Sequence, residues 1–179
     1  MHQRDPNWVP PLRMEVGSLL DRKKNPFFEH ATAEYFTAER DGTVVGRIAA
    51  IHNRLHNEIH GDRVGFFGFF ECEDDPRTAA LLFAAADGWI KARGLDTLRG
   101  PASFSVNDEC GLLVDGFDTP NVVMMPHNPP YYRRLVEGAG FVKAKDLLAY
   151  EGGNADHPVD TPERLKRAVR ITLERQGIT

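Results

Sequence analysis

Residues Arg63 to Cys72 read RVGFFGFFEC, and the following stretch, EDDPRTAALLFAAADGWIKARG, changes period at once. The first segment is apolar on both faces, so it belongs inside a sheet that is covered on both sides. The second places Ala79, Leu82, Phe83, Ala86, Trp89 and Ile90 on one helical face. Asp75 reads as its N-cap, Pro76 as its first helical residue and Gly94 as its stop. Another strand, LDTLRGPASF, follows. A buried strand, a helix of this length and a second strand join most simply as a right-handed crossover between parallel neighbours. The chain is therefore expected to be an α/β (α+β) protein with its β-α-β unit at about residues 63–104.

The rest of the chain adds antiparallel structure. AEYFTAER and TVVGRIAAIHN flank Asp41-Gly42, a dipeptide suited to the positive φ angles of a tight hairpin turn. Residues 1–30 read as an extended, proline-bearing arm with a short helix at Arg13–Leu20 and anchors at Trp8 and Leu12. After the crossover come a polar loop, SVNDECGLLVDGFDTPN, and a short strand, VVMMP. A helix beginning at Asn128-Pro129-Pro130 and a last strand, AKDLLAYE, follow. Residues 31–151 would form the main domain, and 152–179 a linker with an amphipathic helix capped by Thr161.

Composition limits the function. A net charge of -4 disfavours nucleic acid as a partner. Two cysteines make no disulfide framework and suit a reducing, cytoplasmic setting. The apolar runs are too short to span a membrane, and the polar amino terminus is unlike a signal peptide.

His52, His56 and His60 stand four apart, the spacing of ligands on one helix face. Their surroundings read as strand, and residues four apart in a strand lie about 13 Å from one another. HNEIH also lacks the glutamate beside the first histidine that a zinc-protease helix carries. The expectation is a connection between strands with part-exposed imidazoles, and no metal.

The order hairpin, buried strand, capped helix, strand, loop, helix and final strand resembles the GNAT acyltransferase superfamily. EYFTAERDGTVVGRIAAI resembles that family's second and third strands. VGFFGFFE with the Pro76–Arg93 helix resembles its fourth strand and cofactor-facing helix, and YYRRLVEGAGFVKAKDLLAY its last helix and strand. DPNWVPPLR, NDECGLLVDGFD and MMPHNPPYY resemble a narrower bacterial group of longer GNAT-like proteins. There a strand and helix would precede DPNW and a second module would follow GIT.

The resemblance implies a twisted, mostly antiparallel sheet flanked by helices, with acetyl-CoA or another acyl-CoA as co-substrate and a small-molecule or peptide amine as acceptor. It implies catalytic roles for Glu71, at the end of the buried strand, and for Tyr132, because Val136 stands where relatives hold a tyrosine acid. It also implies a coenzyme site drawn from Phe70, Cys72, Arg77, Thr78, Ala79 and Asn107, with the α-helix N-terminus receiving the pyrophosphate. The family's glycine-rich loop is replaced by EDDPRTAA, whose acids equally suit an N-cap complementing the helix dipole. Cys110 has no histidine placed by sequence to activate it. Three functions follow. The first is acyl-CoA-dependent N-acyl transfer. The second is a catalytically silent GNAT-like module that binds or oligomerises, as a homodimer or with a second such module. The third is transfer from an aminoacyl or fatty-acyl donor, with Phe66, Phe67, Phe69 and Phe70 lining an acyl pocket.

Overall fold

The hairpin forms where the Asp-Gly turn placed it. β1 (Ala31–Arg40) and β2 (Thr43–Asn53) pair antiparallel, and Asp41 and Gly42 take φ angles of 50° and 75° between them. β3 (Val64–Cys72) pairs antiparallel with β2, and β4 (Thr97–Arg99) parallel with β3. The sheet order is β1-β2-β3-β4. The computed structural model describes residues 5–150, 162–164, 166, 167 and 171.

The helix α3 (Pro76–Lys91) carries the crossover from β3 to β4, as its amphipathic pattern requires. It buries Leu82, Phe83, Ala86 and Ile90 against Ile48, Phe67, Phe70 and Cys72 of the sheet. At Gly65 the helix comes so close that a Cβ would overlap Ile90. The other sheet face packs Ala49, Ile51, Val64 and Phe66 under Phe27 and Phe28. Those phenylalanines are the central residues of the 3₁₀ turn Pro26–Glu29, which follows α1 (Arg13–Leu20). Leu19 and Leu20 join this cluster, whereas Leu12 is exposed and anchors nothing. The sheet is thus mixed, mostly antiparallel and covered by helical structure on both faces.

The segment LDTLRGPASF does not run as one strand. Its first part pairs with β3 only from Val64–Thr97 to Phe66–Arg99. After Arg99 the chain turns away and Ala102–Ser103 (β5) pairs with Glu109–Cys110 (β6) as a separate two-stranded sheet. The expected strand VVMMP is a turn with exposed Val122, Val123 and Met124. AKDLLAYE forms no strand over its described residues, and Leu147, Leu148 and Tyr150 are exposed. Strand propensity alone was insufficient at both places, because a strand needs a partner edge.

The histidine connection is helical rather than extended. α2 (Arg54–His60) starts at Asn53, whose side chain accepts a hydrogen bond from the His56 amide, and ends at Gly61 with φ 64°. Asn57 then binds both the N–H and the carbonyl of Val64. His56 and His60 do share a face, with ring centroids 4.4 Å apart, but His52 remains in β2. No group of three ligands able to hold a metal occurs among the described residues.

α4 (Tyr132–Gly138) closes the first of two units, Met1–Ala144. In the second, Lys145–Thr179, residues 163, 164, 166, 167 and 171 are helical, and Lys166 pairs with Glu163 at 2.9 Å. Thr161 and almost all of the expected linker lie outside the described residues. No described helix is long and apolar enough to cross a membrane.

Candidate functional site

A one-residue irregularity in β3 builds the site. Ala49 faces Gly68 and Arg47 faces Glu71, so three steps on β3 match two on β2. The extra residue is accommodated at Phe69, whose φ is 50°. Side chains alternate along a strand, so one inserted residue exchanges the two faces beyond it. Before the bulge Phe67 faces α3; beyond it Phe70 and Cys72 do. Glu71 is thereby turned away from the α3 core and onto the Arg47 face.

Beside this bulge the parallel ladder has ended, leaving the β3 edge uncovered by β4. The hairpin β5–β6 and the start of α4 fill part of the opening. Gly68 is needed there, since a Cβ would overlap the Ala102 carbonyl, and the Phe69 amide donates to Ser103 Oγ at 3.1 Å. Further along, Tyr132 Oη accepts from the Cys72 amide at 3.0 Å and donates to Glu71 Oε2 at 2.8 Å. Arg47 stands 3.8 Å from Glu71 Oε1. Glu71 and Tyr132, the two residues singled out in the sequence, are therefore directly bonded.

A pocket of about 100 Å³ opens here. Glu71, Glu109 and Arg47 supply its charge, and Phe69, Phe70 and Leu112 much of its apolar wall. Burial raises the Glu109 carboxyl above its usual range; Glu71 raises it further and Arg47 opposes them. Burial, then the Glu71 charge, pushes the Tyr132 phenol far up. A phenol so disposed holds its proton on the carboxylate bond and is a weak acid toward anything else. Its geometry suits positioning Glu71.

The residues expected to hold a coenzyme are only partly together. Phe70 lines the pocket. Cys72 is fully buried, its amide bound to Tyr132 and its carbonyl accepting from Tyr131 Oη at 2.9 Å. Burial, then Asp75 and Glu73, drives its thiol up to about 11. At the start of α3, Asp75 accepts from the Arg77 amide at 3.0 Å and from Thr78 Oγ1 at 2.6 Å. Arg40 bonds Asp75 at 2.5 Å, Thr78 at 3.0 Å and Glu73 at 3.3 Å. These hydrogen bonds, that of Thr78 foremost, hold the Asp75 carboxyl below its usual value. Arg77 and Ala79 therefore sit in a self-capped first turn, with the Ala79 amide on the Asp75 carbonyl at 3.1 Å. Asn107 is exposed in a loop turn, its amide on Ser105 Oγ. It does not line the pocket.

Several pocket groups had no sequence signal. Arg47 and Glu109 meet Glu71 only through the register of β2–β3 and the β5–β6 pairing. His127 lines the pocket at 2% side-chain exposure, and its Nε2 lies 2.8 Å from Asp5 Oδ2. Nothing in the sequence joins Asp5 to His127, which meet only in the folded chain.

No protein-family model matches the chain, and no solved structure matches it. It is 45% identical over 174 residues to the bacterial ceramide synthase of Caulobacter vibrioides (strain NA1000 / CB15N). That alignment covers 97% of this chain and 44% of the relative. It is 43% identical over 150 residues to protein YghO of Escherichia coli (strain K12), covering 84% of this chain and 38% of the relative. The chain spans less than half the length of the curated relatives it matches.

Proposed function

We propose that this chain carries the acyl-transfer site of an acyl-CoA-dependent N-acyltransferase of the GNAT type, acting on the amine of a long-chain amino alcohol. The observation that carries the reading is the Glu71–Tyr132 bond at 2.8 Å, set where β3 loses its parallel neighbour. A carboxylate fixed at one oxygen, in a pocket with a second carboxylate, suits an ammonium substrate. The similarity to a ceramide synthase supports the same chemistry, because a ceramide is the fatty amide of a long-chain amino alcohol.

In this reaction the amine nitrogen attacks the thioester carbonyl carbon. The C–N bond forms, the C–S bond breaks, and coenzyme A leaves as its thiol. An ammonium substrate gives up two protons, one of which ends on the thiol sulfur. Glu71 takes the other and passes it to water, while Tyr132 holds its carboxylate in place. Phe69, Phe70 and Leu112 exclude water around the reacting carbon. A long acyl chain, rather than acetyl, is the donor that accords with the ceramide synthase.

A second reading keeps the GNAT-like architecture without catalysis. It is favoured by the first turn of α3, where Asp75 and Arg40 already occupy groups that a pyrophosphate would use. Thermal melting with acetyl-CoA and palmitoyl-CoA separates the two. Donor binding at a hundredfold excess over its Kd adds about 2.7 kcal/mol of stability. A raised melting temperature with palmitoyl-CoA and amide formation from sphinganine support the first reading. Neither effect with any thioester leaves the silent module.

A further inference from the structure

The proposed reaction leaves His127 unused and assigns no group to carry the proton that ends on the leaving sulfur. His127 is buried on the pocket wall, and its Nε2 is bound to Asp5, 122 positions earlier in the chain. Asp5 is itself fixed, its Oδ1 accepting from the Asn7 amide at 2.9 Å. The arm is pinned on either side of that turn: Asn7 Nδ2 donates to the Phe117 carbonyl at 3.0 Å, and the Val9 amide donates to Asn121 Oδ1 at 3.1 Å. Next to His127, Asn128 is buried and binds the Leu113 amide and carbonyl. Backbone and ring are thus both held.

A carboxylate on Nε2 selects the tautomer that carries its proton there and leaves the Nδ1 lone pair available. Nδ1 makes no protein hydrogen bond among the described residues. The same carboxylate stabilises the imidazolium that forms when Nδ1 takes a proton.

We infer that Asp5 and His127 form a proton-shuttling dyad facing Glu71 across the acyl-transfer pocket. The inference rests on the proposed N-acyltransferase reading. As the C–N bond forms, His127 Nδ1 takes the proton from the attacking nitrogen. As the C–S bond breaks, that proton passes to the departing sulfur, giving the thiol and returning the imidazole to neutral. Glu71 has by then taken the ammonium's first proton, so atoms and charge balance. The amino-terminal arm, which the sequence presents as an extended anchor, becomes part of the reaction centre through Asp5.

The test uses the full-length protein with palmitoyl-CoA and sphinganine, comparing wild type, His127→Gln, His127→Ala and Asp5→Asn. General acid–base catalysis contributes about 10²–10⁴-fold, so both His127 variants should lose kcat on that scale. KM for both substrates should stay within about two-fold, because uniform binding is untouched. Added imidazole should restore part of the His127→Ala rate, which a merely structural role would not allow. Asp5→Asn should lower kcat without raising KM. Wild-type turnover with an undiminished kcat in His127→Gln would overturn the dyad and leave the N-acyltransferase reading standing. So would a loss that follows melting temperature and ignores imidazole. A wild-type protein inert toward every thioester would instead overturn the functional reading, and the dyad with it.

Discussion

With φ at 50°, Phe69 occupies a backbone region that costs a bulky residue roughly 1–2 kcal/mol. Its ring packs 4.9 Å from that of Phe104, which offsets part of the strain. The consequence is the facing of Glu71, which neither composition nor alternation in RVGFFGFFEC foretold. Tyr132→Phe should leave the Cys72 amide buried without an acceptor and release Glu71. The cost should be about 1–3 kcal/mol in chemical denaturation, with kcat lowered as well. Retention of full stability would contradict the described bonding. Glu109 gives a prediction in pH. Burial and Glu71 raise its folded value, so the protonated form is favoured in the folded state. That contribution is full in acid, below the unfolded carboxyl's range, and is lost as pH rises through the raised folded value. Glu109→Gln should therefore melt higher than wild type at neutral pH, and the difference should vanish in acid. A difference that ignores pH would contradict this.

Among the elements, those with a local signal were legible. The Asp41-Gly42 hairpin follows from its turn, and α3 from its Asp75-Pro76 start and its period; α1 stands where the sequence placed it, at Arg13–Leu20, without a side-chain cap. α2 was not legible, because its seven residues are held by the Asn53 cap and by the clasp of Asn57 on Val64, seven positions on, neither of which leaves a periodic pattern. β4 was read too long. Its break goes with the passage of Ala102 and Ser103 across Gly68, a contact that no local pattern announces. Gly68→Ala should cost about 1–3 kcal/mol, since a methyl would meet backbone rather than a movable side chain. A melting temperature equal to wild type would show that β5 does not approach as described. At α3, Asp75→Ala should lower the melting temperature by removing the acceptor of Arg77 N–H and Thr78 Oγ1. Its effect should shrink as pH falls through the depressed Asp75 value, where the wild-type cap is itself protonated. A constant effect across that range would contradict the cap.

For the whole molecule, the site is assembled from widely separated stretches: Asp5 in the arm, Arg47 in β2, Glu71 in β3, Glu109 in β6, and His127 and Tyr132 around α4. Glu71 and Tyr132 were singled out only through the family resemblance, and the structure bonds them to each other. Asp5, Arg47, Glu109 and His127 were not, because only chain reversal brings them together. The identity of 45% to a ceramide synthase runs through nearly all of this chain and 44% of that relative. The most direct measurement is transfer of the acyl group from palmitoyl-CoA to sphinganine by wild type and Glu71→Gln, at saturating concentrations of both. Amide formed by wild type, with kcat reduced about 10²–10⁴-fold in the variant and its melting temperature held, is the predicted result. Equal kcat in the two proteins would contradict the account.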